Sequence, residues 1–594
     1  MIAASGGYAA TGLRVMCECM NAEDTTIKHL LGAQSQYRIP IFQRSFAWGA
    51  DDRETLWNDI LELYEMRRID DPNAQHFMAS IVTSVEEAQA QRPTAYIVID
   101  GQQRLTTLST LFAALRDVAK EQNPELAEQI HNLYLTNPHA SHADDKSKLV
   151  PTTVDREEWD SILYDGDVGG SPQLRATYDE FVGRIDSERD EDGEPLDLSF
   201  LLDSLLNGLS VVSVTLDEKD NAFRVFESLN ATGLQLKQVD LLRNLFMMKL
   251  PADSAEKAFH EFWEPMQNAL GEDLQPFAHD YYLKFGQFIR EDAIYSTTKR
   301  QLANANEVAV FEALADLKWH SQLWLRIDGR AASHGGETDG ALRDALQSLN
   351  CFGTETPWPF LLNLYAAYQR DERPGGPADL PELSAAEFAG IVSEIESFLV
   401  RRMFAARRTN ALNRMLIRLW DQLPKDGSLL EETRLLLRDP DRRRPDDQEF
   451  RAALLEYPLY LDSRPNQRRL ILDKMAMAIA GKEPVDLSAT NIQIEHIVPQ
   501  TLTDAWRTML GEAADDLHEH WQHRLGNLTL TAYNPEISNG PWVDPDDPSR
   551  GKRVFYAASN IAMTREVAEN DVFGEAQLKA RADRLADLAM QIWP

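Results

Sequence analysis

The run Tyr96-Ile97-Val98-Ile99, then Asp100-Gly101-Gln102-Gln103-Arg104, then the stretch Leu105 to Val118, constrains this chain more than any other feature. Apolar, mostly β-branched residues that end at an acid and a glycine predict a strand closing into a tight turn. The leucine spacing that follows predicts a helix. A helix N-terminus presents unpaired backbone N–H groups and a partial positive charge, which suits an anion. Arg104 adds a fork of donors matched to phosphate oxygens. Asp100, at the strand end, can hold a hydrated Mg2+ beside those phosphates. The same five residues also make a plain turn in which Asp100 and Arg104 pair with each other, and both readings stay open here.

A second signal lies far along the chain. Ile492-Gln493-Ile494-Glu495-His496-Ile497-Val498-Pro499 predicts a strand ending in an adjacent acid and histidine. Leu525-Gly526-Asn527-Leu528-Thr529-Leu530-Thr531 and Asn534 follow. Acid–histidine, then Asn, then a further Asn is the order of a ββα-metal (HNH) nuclease site. A neutral imidazole takes a proton from the attacking water, so His496 is the candidate base. Glu495 and Asn534 are candidate ligands for a hard divalent ion, Mg2+ or Mn2+, with Asn539 as the fallback for Asn534. Asn527 is read as the residue that orients the site, its carbonyl accepting from the histidine N–H. A Glu-His pair alone is usually structural; joined to the Leu-Gly-Asn-Leu-Thr-Leu run it is specific.

These blocks resemble the DGQQR-motif, two-domain restriction proteins of the GmrSD type, which include SspE-like phage-defence nucleases. Tyr37-Arg38-Ile39-Pro40-Ile41-Phe42-Gln43-Arg44-Ser45-Phe46-Ala47-Trp48 is similar to the family's opening pattern. Ala222 to Gly233, followed by Val239-Asp240-Leu241-Leu242-Arg243-Asn244, is similar to its second block. The resemblance runs from about residue 22 to the end. It implies a ParB/sulfiredoxin-like N-terminal domain that binds and hydrolyses a nucleotide, GTP or ATP. It also implies a C-terminal HNH domain that cuts or nicks DNA, in a type IV restriction or related defence against phage with modified DNA. Carried onto this chain, the nucleotide site comprises Asp100, Gln102, Gln103, Arg104, Gln43, Arg44, Asn230, Asp240 and Arg243. Tyr37, Pro40 and Arg44 are implied to face DNA or nucleotide, while Ile39, Ile41, Phe42 and Trp48 read as core. Lys552 resembles the family's lysine downstream of the nuclease centre, where it would stabilise the pentavalent phosphate. Asp240 and Arg243 also sit three apart on one helix and can pair with each other. Oligomeric state stays open, and the resemblance points to a homodimer.

Composition bounds the rest. A chain of 594 residues holds about two to four domains with proper cores. The expected class is multidomain α+β and mostly helical. Residues 1–20 read as an N-terminal extension, with Met16 or Met20 as alternative starts, and residues 21–245 as the nucleotide-binding domain. Residues 246–400 read as a helical middle and 401–594 as the nuclease domain. The net charge of −35 argues against nonspecific coating of nucleic acid, since phosphate contacts need Lys and Arg, but leaves local patches free to bind. Cys17, Cys19 and Cys351 make no disulfide framework and no zinc pair, which reads as a reducing cytoplasm. No apolar run is long enough to span a membrane, and no leader pattern opens the chain. His518, His520 and His523 lack a completing cysteine or acid pair and read as exposed or packing residues. Arg401, Arg402, Arg407, Arg408, Arg414 and Arg418, with Arg438 and Arg442 to Arg444, make the clearest basic stretch. Two readings stay open for it: a phosphate-contacting face, or pairing with surplus carboxylates.

Overall fold

The computed structural model describes residues 21–69, 71–86, 92–164, 171–216, 237–329, 336–376, 380–409, 412–480, 486–487, 491–547 and 549–594. The expected extension at 1–20, the block from Ala222 to Gly233, and Asn230 within it lie outside the described residues. The protein is a mostly helical α+β structure with a small mixed sheet. By internal contacts it divides into two compact units, Met1–Glu264 with Tyr295–Val310, and Pro265–Ile294 with Phe311–Pro594. The stretch read from sequence as one helical middle region is thus shared between the units. Its described residues carry helices at Leu274–Leu283, Glu307–Asp328, Gly340–Cys351 and Trp358–Tyr368, in keeping with the helical character expected of the region.

The first unit is built on a six-stranded sheet. Its strands are β1 (Asn21–Thr26), β2 (Ser35–Arg38), β3 (His76–Val85), β4 (Thr94–Asp100), β5 (Leu149–Val150) and β6 (Leu209–Leu216), in the order β1-β6-β3-β4-β2-β5. The pairs β1–β6 and β3–β4 are antiparallel, and β6–β3, β4–β2 and β2–β5 are parallel. Alternation along the strands divides two cores. Ile81 and Val98 face one cluster with helices α1 (Ala50–Ile69), α2 (Gln102–Gln122) and α3 (Pro172–Ser187), through Trp57, Leu108, Phe112 and Phe181. Val82 and Ile99 face a smaller cluster with Val214 and Leu216, covered by Leu241 and Met248 of α4 (Gln238–Met248).

The second unit carries the two-stranded antiparallel sheet of β7 (Gln493–His496) and β8 (Leu528–Thr531), with Glu495 opposite Thr529 and His496 opposite Leu528. Both faces of β8 are buried; the Thr529 and Thr564 hydroxyls share a hydrogen bond at 2.8 Å, and Thr564 donates to the Leu530 carbonyl. Its tight entry explains the Leu-Gly-Asn sequence: a Cβ on Gly526 would stand 2.8 Å from the Leu578 carbonyl oxygen. Leu578 lies on α7 (Glu575–Ile592), which packs here beside α5 (Pro465–Ala480); α6 (Lys552–Ala557) adds Tyr556 to the surrounding core.

The arginine-rich stretch follows the carboxylate-pairing reading at Arg401 and Arg407, and adds bonds to main chain that neither reading contained. Arg401 is buried, donates to the Trp593 and Pro445 carbonyls, and pairs with Asp447 at 2.8 Å. Arg402 donates to the carbonyls of Arg442, Arg443 and Arg408. Arg407 pairs with Glu449 at 2.5 Å, and the Arg414 guanidinium lies over the Phe288 ring. Arg401 and Arg402 tie irregular backbone together, because loop carbonyls with no ladder partner need donors. Arg408, Arg418, Arg438 and Arg443 stay exposed.

Candidate functional site

At the first unit's corner, the Asp100-Gly101 turn forms as predicted. Gly101 has φ 91°, and a Cβ there would meet Ile81 and, at 3.2 Å, the Ser80 carbonyl oxygen. Only glycine fits that backbone region without strain. Beyond it α2 runs on leucines at helical spacing, and Thr107 and Thr110 return their hydroxyls to carbonyls one turn back at 2.8 Å. Opposite, β3 bulges at Ala79, whose φ is 76°, so that Ser80 presents its carbonyl to Arg104 Nη1 at 2.6 Å. Arg104 and Asp100 stand 4.0 Å apart, at the edge of ion-pair range.

The glutamines act here as backbone struts. Gln43 Nε2 donates to the Val98 carbonyl at 2.7 Å and to that of Ile99 at 3.3 Å. Gln103 accepts from Ala47 N at 2.8 Å and donates to the Ser45 carbonyl at 3.2 Å. Gln102 donates to the Arg44 carbonyl at 3.2 Å. The opening block is therefore stapled to the turn by three amides. Arg243 pairs with Asp240 at 2.9 Å, and burial pushes its guanidinium down, with Asp240 opposing and nearby Arg44 adding to the shift. Asp100, Gln102, Gln103, Arg104, Gln43, Arg44, Asp240 and Arg243 thus all lie about one corner. Gln102 Oε1 and Asn244 Oδ1 are buried there with no hydrogen-bond partner among the described residues. A cavity of about 1160 Å3 opens alongside, lined by Pro40, Ile41, Phe42, Ile99 and Met248 among others. Tyr37 departs from its implied outward role. It is buried, its hydroxyl donates to the Leu30 carbonyl at 3.0 Å, and its ring stacks on Tyr96.

In the second unit Glu495 and His496 end β7 in the wall of a polar cleft of about 860 Å3, which Asn534, Asn539, Gln500, Tyr460 and Arg468 also line. Both are buried, at 6% and 4% exposure. Burial, reinforced by His523, Lys552, His518 and Arg468, pushes the imidazole down to about 3. It is therefore neutral, with a lone pair, at neutral pH. Gln500 Nε2 lies 3.2 Å from His496 Nδ1. A proton donated there makes Nδ1 the lone-pair nitrogen and puts the ring proton on Nε2, which is buried with no partner among the described residues. The Tyr460 ring meets the imidazole edge-on at 4.5 Å, and His523 stacks on Tyr460, the packing role read for it from sequence.

Two of the expected roles change. Lys552, 1% exposed, does not reach into open space for a phosphate. Its ammonium bonds Glu495 Oε1 at 2.5 Å and the His496 carbonyl at 2.8 Å. Tyr556, one turn on, adds its hydroxyl to the same carboxylate oxygen at 3.2 Å. Burial drives the Glu495 carboxyl up and the Lys552 ammonium down, and their mutual attraction opposes both. Asn527 does not touch the imidazole. Its amide accepts from Val498 N at 2.8 Å and donates to the carbonyls of Val498 and Gln522 at 2.9 and 3.1 Å, locking the segment after His496. Asn534 donates to Gln493 Oε1 at 3.0 Å across the cleft mouth.

Among the described residues no group of three or more His, Cys, Asp or Glu side chains could hold a metal ion by itself. The cleft does fit a hard divalent ion of low protein coordination, because Glu495 and Asn534 both line it and both supply hard oxygen donors. Phosphate and water would supply the remaining ligands. Gln500, Tyr460, Tyr556 and Arg468 were not singled out by sequence. Gln500, four residues past His496, and Tyr556, four past Lys552, carried a local signal; Tyr460 and Arg468 carried none.

Residues 27–247 match the family described as GmrSD restriction endonuclease, N-terminal domain, and residues 444–588 match GmrSD restriction endonucleases, C-terminal domain. No curated protein matches the chain. The two matches, in this order and covering more than half of the sequence, define the class as a two-domain restriction endonuclease, an enzyme whose substrate is DNA. The chain belongs to the GmrSD-type two-domain restriction proteins. No described helix is long and apolar enough to cross a membrane.

Proposed function

We propose that this protein is a metal-dependent endonuclease of the ββα-metal (HNH) type, regulated by NTP and directed at modified phage DNA. The observation that carries the nuclease reading is the buried neutral imidazole of His496. It stands beside Glu495 in a polar cleft, with Nδ1 turned toward the cleft residue Gln500. The attacking water would displace the Gln500 amide from His496 Nδ1 and give that nitrogen its proton, while Tyr460 holds the ring for the transfer. Glu495 and Asn534 would hold Mg2+ or Mn2+, which when bound neutralises the scissile phosphate and the leaving oxygen. Lys552 and Tyr556 fix the Glu495 carboxylate, and Asn527 fixes the backbone from which His496 projects.

The nucleotide reading is supported by the corner around Asp100. A long helix N-terminus, a guanidinium held by Ser80, and two buried amide oxygens without a partner among the described residues meet there. Arg104 would contact phosphate, and Asp100 a phosphate-bound Mg2+. The nucleotide is GTP or ATP, and the first unit would follow the ParB/sulfiredoxin-like pattern. Such an enzyme would act on incoming DNA in the cytoplasm, as a monomer or a homodimer.

The test is a panel of plasmid and phage DNA carrying modified bases or backbone, with Mg2+ or Mn2+, with and without NTP. Metal-dependent cutting that His496→Ala abolishes supports the reading. NTP hydrolysis without cutting of any substrate would instead favour a regulatory switch acting through a partner. Arg104→Ala is expected to abolish NTP turnover, and unchanged turnover would refute the role given to that residue.

A further inference from the structure

We infer that Arg468 is the phosphate-binding residue of the His496 cleft, seating a DNA phosphodiester against the first turn of α5; this rests on the nuclease reading above. The cleft is lined by several charged side chains, and their neutralisation is uneven. Lys552 is spent on Glu495. Arg469 is spent on Asp473, at 2.7 Å, and on the Ile492 carbonyl. Arg468 has no carboxylate partner among the described residues. It donates to the Tyr460 carbonyl, and its guanidinium lies over the Tyr460 ring at 4.3 Å from the centroid.

That stacking leaves the remaining edge of the fork for a ligand and holds it in one plane, the arrangement that suits an oxyanion. Arg468 sits in the first turn of α5, a helix of 16 residues whose opening residue, Pro465, lines the same cleft. The helix N-terminus adds partial positive charge at that point. Arg468 is also close enough to His496 to help hold the imidazole neutral. Tyr460 touches both, its ring meeting His496 edge-on and carrying Arg468 on its face. In a chain of net charge −35, this cleft offers a phosphate an uncompensated guanidinium beside the base that would activate water.

The test uses the full-length protein carrying His496→Ala, so that DNA stays intact while binding is read. Fluorescence anisotropy is recorded on a duplex that this protein binds, over a salt series. Adding Arg468→Ala is expected to weaken binding about tenfold and to flatten the slope of log K against log salt by about 0.9, the value of one duplex phosphate contact. Arg468→Lys is expected to keep the slope, because the charge remains. In the His496 background it is expected to slow cutting about tenfold, because the fork is lost. Should Arg468→Ala fail to fold, Arg468→Gln carries the same two binding expectations. Unchanged affinity and slope in a folded variant would overturn the inference. Absence of cutting by the parent protein counts against the nuclease reading alone, since the difference in slope is still measurable.

Discussion

The Asp100 corner and the His496 cleft spend their polar residues in opposite ways. At the corner, three glutamine side chains each bridge to main chain that is distant in sequence, and Arg104 donates to a bulged carbonyl. At the cleft the bridging is done by residues around the histidine: Lys552 and Tyr556 on Glu495, Asn527 on the backbone after it, Gln500 on one ring nitrogen. The histidine is left neutral and facing open volume. Residues with the same chemistry thus serve as scaffold or as tool, and the partner decides which. A motif can consist largely of residues that hold a shape.

The largest expected effect tests the scaffold at the cleft. Lys552→Ala leaves a buried carboxylate without its cation and should cost about 3 kcal/mol in chemical denaturation, with loss of cutting. The double change Glu495→Gln with Lys552→Met removes both charges and should recover much of that stability while staying inactive. Unchanged stability in Lys552→Ala would return the lysine to a direct role on substrate.

Gln103→Ala tests the scaffold at the corner. It removes one accepted and one donated hydrogen bond to the opening block and should cost about 1–2 kcal/mol. NTP turnover should fall with the folded fraction. A complete loss of turnover in a protein of parental stability would make Gln103 a contact to the nucleotide.

A smaller effect sharpens the contrast between compensated and uncompensated acids. Among the described residues Asp280 has no cation in hydrogen-bond reach comparable to Lys552; it accepts from Trp324 Nε1 at 2.9 Å, and burial pushes its carboxyl up to about 7. Its folded value exceeds its unfolded value, so its contribution is fully present below about pH 4 and is lost as pH rises through about 7. Asp280→Asn should keep the bond to Trp324 and flatten that fall, gaining on the order of 1 kcal/mol at pH 8 once partial exposure is discounted. A variant with the parental pH dependence would contradict the assignment.

Much of the fold was legible because its signals are local. The strands β4 and β7, the turn at Gly101 and the helical character of the middle region follow from apolar spacing and one glycine. The short strand β5 and the bulge at Ala79 were not legible, since both depend on pairing partners far along the chain. At the cleft, Glu495, His496 and Asn534 could be named from their order in sequence. That Lys552 would turn inward onto Glu495, or that Arg468 would stack on Tyr460 beside His496, depends on side chains from separate helices meeting in space. The arginines from Arg401 onward left two readings open for the same reason: the loop carbonyls that Arg401 and Arg402 reach, and the carboxylates of Asp447 and Glu449, fold back on them from elsewhere in the chain, and spacing carries no trace of that.

In the proposed function His496 is the base of a metal-dependent nuclease. The most direct measurement is the rate of DNA cutting by the full-length protein and by His496→Ala, with matched circular dichroism, across a titration of Mg2+ or Mn2+. Metal-dependent cutting is expected to fall about a hundredfold or more in the variant while the fold is unchanged. Equal cutting by both proteins would contradict it.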